Sequence, residues 1–122
     1  MKILIADDSA FMRTILRDII LKGKWSDAEI IEASDGPEAI EKFKAELPDL
    51  VLLDIIMPTQ SGIDVLKEIG HAAKSIVIVS SVDQSEVVTE AKSLGAKDYI
   101  VKPFVASQVE QVLETLLAAQ EA

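Results

Sequence analysis

Three acidic residues, a serine and a lysine are the groups through which this chain could do chemistry. Asp7 and Asp8 stand side by side at the end of the apolar run Ile3-Leu4-Ile5-Ala6. Asp54 ends a second run, Leu50-Val51-Leu52-Leu53, Ser80 ends a third, Ile76-Val77-Ile78-Val79, and Lys102 follows Tyr99-Ile100-Val101. Adjacent carboxylates repel, and each raises the pKa of the other. Three carboxylates brought to one place need a cation. A hard divalent ion such as Mg²⁺ takes oxygen ligands, keeps several waters, and is commonly held by one or two carboxylates plus a phosphate. An aspartate can itself accept a phosphoryl group. An ammonium and a hydroxyl beside it would neutralise and hydrogen-bond the phosphoryl oxygens. The alternative for Asp7-Asp8 is a helix N-terminus, where the helix dipole favours acids.

These groups meet only if the apolar runs are neighbouring strands. The pattern alternates regularly between strand and helix. Strands are predicted over Lys2–Ala6, Glu29–Ala33, Leu50–Leu53, Ile76–Val79 and Tyr99–Val101, the third and fourth apolar on both faces. A helix is predicted over Phe11–Leu21, with Met12, Ile15, Leu16, Ile19 and Ile20 along one face. Gly36-Pro37 starts a second helix, with Ala39, Phe43 and Leu47 inward and Pro48 ending it. Gly62 precedes a third, carrying Ile63, Leu66, Ile69 and Ala73. Asp83 and Glu86 form a capping box for a fourth, which Gly95 ends. Val105, Val109, Val112, Leu113 and Leu116 line the fifth, and the tail from Ala118 to Ala122 is expected to fray. Strands apolar on both faces imply a sheet covered on both sides. The expected architecture is α/β, an open doubly wound sheet of five parallel strands in one domain over residues 1–122. Ligands of such sheets sit at the carboxyl ends of the strands, where the strand order reverses. The polar residues fall at those ends.

Asp7-Asp8-Ser9 after the first strand, Asp54-Ile55-Ile56-Met57-Pro58 after the third, Ser80 after the fourth and Lys102-Pro103-Phe104 after the fifth together resemble the receiver domain of two-component response regulators. The resemblance covers nearly the whole chain. It implies the flavodoxin-like strand order 2-1-3-4-5. It matches Asp54 to the phospho-acceptor, Asp8 to a direct Mg²⁺ ligand (Mn²⁺ serving as a substitute), Asp7 to a water-mediating partner, and the Ile56 carbonyl to a backbone ligand. Ser80 matches the switch hydroxyl, Tyr99 the aromatic residue whose rotamer follows it, and Lys102 the lysine that pairs with phosphoryl oxygens. It also implies a cis bond between Lys102 and Pro103. The resemblance makes the chain a signalling switch that assists only its own phosphorylation and dephosphorylation. Its phosphoryl donor would be a histidine kinase, and its output a binding surface on the fourth helix, fifth strand and fifth helix. The stretches Asp7–Arg13 and Ala96–Phe104 are most similar to the CheY type, whose partners are a CheA-like kinase and a flagellar switch protein. A phosphorelay intermediate, or a receiver belonging to a larger regulator, shares the same residues. With nothing after the fifth helix, output is expected through protein binding in trans. Ile56 and Val82 take the places that flank the attacking water in this family, and two apolar side chains there imply slow hydrolysis and reliance on a separate phosphatase.

Other classes fit less well. A phosphohydrolase with an aspartate nucleophile typically carries a second acid two residues on, where this chain has Ile56. A nucleotide-binding turn after the first strand needs glycines, and here that turn is Asp7-Asp8-Ser9. With 21 acidic against 12 basic residues, net charge −9, and no basic residue after Lys102, the chain lacks the clustered cations of nucleic-acid binders. It has no Cys, hence no disulfide or thiolate chemistry, in accord with a reducing, cytoplasmic setting. No apolar run approaches the roughly 20 residues that span a bilayer, and the N-terminus does not read as a signal peptide. A monomer is expected. His71, the lone histidine, reads as a surface residue, and Trp25 as a loop residue packed locally.

Overall fold

A computed structural model of the chain describes residues 1–121. Strand and helix alternate throughout: β1 (Lys2–Ala6), α1 (Ala10–Lys22), β2 (Glu29–Ala33), α2 (Gly36–Glu46), β3 (Leu50–Leu53), α3 (Gly62–Ile69), β4 (Ile76–Ser80), α4 (Ser85–Ser93), β5 (Asp98–Val101) and α5 (Ala106–Glu121). The strands form one parallel sheet in the order β2-β1-β3-β4-β5. The order reverses between β1 and β3, so the chain leaves these two neighbours toward opposite edges. A crevice opens at their carboxyl ends, and in register Ala6 lies opposite Leu53. Asp7 and Asp54 therefore leave the sheet side by side.

Alternate residues of each central strand feed two cores. Leu4, Val51, Leu53 and Ile78 pack with Ala39, Phe43, Val65, Leu66 and Ala91 beneath α2, α3 and α4. Ile3, Ile5, Leu52, Val77 and Val79 pack with Leu16, Ile20, Val109, Leu113 and Leu117 beneath α1 and α5. Double burial accounts for the unbroken apolar runs of β3 and β4. The edge strands are less apolar: in β2, Glu29 and Glu32 flank Ile30 and Ile31, and Val101 of β5 is exposed. Trp25 packs locally against the second core, as expected, and His71 is exposed.

Several predicted positions move. Leu47 does not continue the inner face of α2. It caps that helix in the left-handed conformation (φ 48°) and is 69 % exposed, because Pro48 forbids another helical turn. Asp83 and Glu86 make no capping box: Gln84 is the N-cap of α4, and no side chain caps it. α3 stops at Ile69, so Ala73 packs from the following turn. Val105 precedes α5 and is exposed. Of the tail expected to fray, α5 is helical through Glu121, and Ala122 lies outside the described residues. Asp7 and Asp8 do not cap α1 either: Ser9 does, its side chain accepting from the Met12 N–H, and no acid lies in the first turn.

Leu47 supplies a test of the local physics. A side chain in the left-handed region costs roughly 1–2 kcal/mol, and glycine avoids this at about 0.5–1 kcal/mol of its own entropy. Leu47→Gly should therefore raise stability by roughly 0.5–1 kcal/mol, read as a higher urea midpoint at unchanged slope. A lower midpoint would mean that the Leu47 side chain contributes packing that its exposure hides.

Candidate functional site

Each polar residue of the rim is placed by a specific piece of backbone. β1 ends with the Asp7 N–H donating to the Ala33 carbonyl at 3.0 Å, and β3 ends with the Asp54 N–H donating to the Ala6 carbonyl at 2.9 Å. Both side chains are then delivered to the crevice, with residue exposures of only 2 % and 6 %. The Ser9 N–H donates to Asp7 Oδ1 at 2.9 Å, and the Ile56 N–H to Asp54 Oδ1 at 3.2 Å. Gly62 closes the floor. A Cβ there would lie 2.2 Å from the Asp54 carbonyl oxygen, so only glycine lets α3 start this close to β3.

Lys102 reaches the same point from the edge strand β5, across the end of β4. Its ammonium donates to Asp7 Oδ2 at 2.8 Å and to Asp54 Oδ2 at 3.0 Å. Burial opposes its charge, but the hydrogen bonds and charges of Asp7 and Asp54 outweigh burial and hold the ammonium above the ordinary lysine range. Burial pushes the Asp7 carboxyl above its ordinary value, against the lowering by Lys102 and the Ser9 N–H, and the Asp54 charge adds to the rise. Asp8 is exposed on the rim. Carboxylate oxygens of Asp7, Asp8 and Asp54 all lie within 4.8 Å of one another. This all-oxygen set fits a hard divalent cation and does not fit a soft transition metal. The Lys102–Pro103 peptide is cis.

Ser80 and Tyr99 stand beside this cluster and converge on one residue. Ser80, wholly buried, accepts the Val82 N–H at 3.3 Å. The Tyr99 hydroxyl donates to the Val82 carbonyl. Burial raises the Tyr99 pKa, and the nearby charges of Asp54 and Asp83 add to the rise. The Ile56 side chain points outward, 57 % exposed, while Val82 packs partly against the first core.

Sequence reasoning missed Arg13. Its guanidinium donates from Nη1 to the Asp7 carbonyl at 2.7 Å and from Nε to Glu32 Oε1 at 2.9 Å. The sequence carries no signal that separates Arg13 from Arg17 or Lys22 of the same helix, since its partner is a backbone carbonyl.

An aspartate pair following β1, an aspartate following β3 and a lysine following β5, all at the switch point of a five-stranded sheet, are the arrangement of a receiver. The chain belongs to the response regulator receiver domain family, whose model matches residues 3–114. Its likeness is to the CheY type. It is similar to the chemotaxis protein CheY of Thermotoga maritima, 46 % identical over 114 residues, covering 92 % of this chain and 93 % of that protein. It is also similar to the chemotaxis protein CheY of Bacillus subtilis, 43 % identical over 118 residues, with 95 % and 97 % covered. Among solved structures, CheY in the CheX–CheY–BeF3–Mg²⁺ complex of Borrelia burgdorferi matches with a TM-score of 0.87 and 33 % identity, over 96 % of this chain and 89 % of that one. The response regulator domain of T. maritima CheB matches with a TM-score of 0.83 and 36 % identity, over 100 % and 97 %. Among the described residues no helix is long and apolar enough to cross a membrane.

The raised pKa of Asp7 fixes a sign. A carboxyl whose folded pKa lies above its unfolded value takes up a proton on folding. Its stabilising contribution is complete below the ordinary value of 3.8 and is lost as pH rises through the folded value. In chelator, wild type should therefore lose stability relative to Asp7→Asn as pH rises from the ordinary value of 3.8 through the raised folded value. Urea melts of both proteins across that range measure the difference, and a constant gap would contradict it.

Proposed function

We propose that this chain is a CheY-like phosphorylation switch, one receiver domain over residues 1–122, in which Asp54 accepts a phosphoryl group from a phosphohistidine. The observation that carries the reading is the Lys102 ammonium shared between Asp7 and Asp54, inside a set of three carboxylates close enough to hold one cation. Asp7, Asp8 and Asp54, with the Ile56 carbonyl, would hold Mg²⁺, or Mn²⁺ in its place. When bound, the ion supplies charge neutralisation between the carboxylates and the incoming phosphoryl oxygens. The presence of Mg²⁺ in the B. burgdorferi CheX–CheY complex supports this.

The residues of the chain divide the remaining work. The Ile56 N–H keeps Asp54 oriented through Oδ1. An Asp54 oxygen attacks phosphorus in line, and the bond from phosphorus to the donor imidazole breaks. That electron pair stays on the imidazole nitrogen, which takes a proton from solvent. Lys102, already within 3.0 Å of Asp54 Oδ2, follows the negative charge onto the phosphoryl oxygens. The new group carries extra charge and acceptor oxygens. Ser80 turns toward it and releases the Val82 N–H. Tyr99, tied to the other side of Val82, then reports the change on the surface of α4, β5 and α5. The donor is a CheA-like histidine kinase, and the output partner is a protein such as a flagellar switch component. The chain turns over no other substrate, and a cytoplasmic setting follows from such partners.

Acetyl phosphate with Mg²⁺, followed by intact mass, should give a single base-labile phosphoryl adduct on wild type and none on Asp54→Asn. Continuous release of phosphate, or an adduct that survives in Asp54→Asn, would overturn the switch. Ile56 and Val82 offer no hydrogen bond to an attacking water. Ile56→Asn with Val82→Glu should speed loss of phosphate by roughly tenfold, equivalent to about 1.4 kcal/mol of barrier. An unchanged decay rate would remove water access as the brake.

A further inference from the structure

The Asp7 carbonyl lies beyond the last rung of the β1 ladder, where no strand partner is available to it. Arg13 is its hydrogen-bond partner, at 2.7 Å, from a side chain only 17 % exposed. The guanidinium is fixed in turn. Its Nε pairs with Glu32 of β2 at 2.9 Å, and the Glu32 carbonyl accepts the Lys42 ammonium from α2 at 2.6 Å. The Arg13 N–H donates to the Ser9 carbonyl at 3.0 Å, within the turn that Arg13 clamps. The peptide joining Asp7 to Asp8 is thus held by its carbonyl, while the Asp7 N–H is held by Ala33. That peptide sets where the exposed Asp8 carboxylate lies relative to Asp54. A charge effect alone would run the other way, since a guanidinium beside the cluster disfavours a second cation.

From this we infer that Arg13 is a positioning residue for the divalent-cation cradle, acting through the Asp7–Asp8 peptide with Glu32 as its anchor. The inference rests on the Mg²⁺ reading above. Outer partners that orient metal ligands commonly change affinity by about 10–100-fold when removed.

The test titrates Mg²⁺ alone into the full chain by calorimetry, with no phosphoryl donor present. Arg13→Met should weaken Mg²⁺ binding by roughly tenfold. Arg13→Lys, which keeps the charge and one donor, should recover part of that loss. Phosphorylation at saturating Mg²⁺ should stay within about twofold of wild type, the pattern of lost ligand positioning with unchanged chemistry. Tighter binding by Arg13→Met would assign Arg13 a purely electrostatic effect, and unchanged binding with lower stability a purely structural one; either overturns the inference. If Arg13→Met does not fold, Arg13→Gln replaces it, with weakening expected in the same direction. A wild type that binds no Mg²⁺ overturns the cradle as well as its anchor, whereas normal wild-type binding with unaffected variants overturns the anchor alone.

Discussion

The site depends on one ammonium placed between two buried carboxylates. Asp7 and Asp54 come from neighbouring strands and would repel at this separation. Lys102 arrives from the edge strand β5 and bonds both, at 2.8 and 3.0 Å. Breaking such a cluster by removing one partner typically costs about 3–5 kcal/mol, because the remaining charge stays buried and unpaired. The three-residue contact is therefore costly to break at Lys102 once the carboxylates are ionised, which holds the three side chains in place. It also explains the rise of Asp7 against the hold of Lys102. One cation shared by two acids leaves the more buried acid short of compensation, and a second cation would complete it.

The topology makes this contact available. A reversal of strand order between β1 and β3 brings Asp7 and Asp54 out on the same rung, one residue beyond Ala6 and Leu53. Two apolar layers make the strands beneath them stiff, so the carboxylates cannot retreat from one another. Gly62 removes the one side chain that would push α3 away from Asp54. Backbone N–H groups of Ser9 and Ile56 then fix one oxygen of each acid and leave the other for Lys102. The site is built by backbone geometry first and by side-chain choice second.

Periodicity made the doubly covered sheet legible, because β3 and β4 are buried on both faces; the strand order was implied only by the resemblance of the four motifs to a receiver domain. The acids and the lysine were legible for the same reason: each interrupts an apolar run at its carboxyl end. What escaped were decisions made by local competition. Asp83 and Glu86 have the spacing of a capping box, yet Gln84 takes the cap position of α4 without a side-chain bond. Leu47 has the period of an inner residue, yet Pro48 forces it left-handed and outward. Arg13 escaped because its partner is a backbone carbonyl, which no residue type in the sequence announces. Composition cannot distinguish a surface arginine from one that holds a peptide.

The same kind of backbone contact locates the part of the molecule free to respond. α2 and α3 each bury four residues, and Ser61 caps α3 with its side chain. α4 buries only Ala91 and lacks a side-chain cap. An element with so little buried surface opens at the low end of the stability range. The loop that leads into it is held chiefly at Val82, whose N–H is bound by Ser80 and whose carbonyl is bound by Tyr99. Ser80 lies next to the acidic cluster, and Tyr99 lies on the outer strand. On the proposed reading, a change of charge at Asp54 would meet α4 through a single residue, Val82, held at the N–H of one peptide and the carbonyl of the next. The proposed two-state response of α4 would then follow from where its few contacts fall, with no motion required of the sheet below.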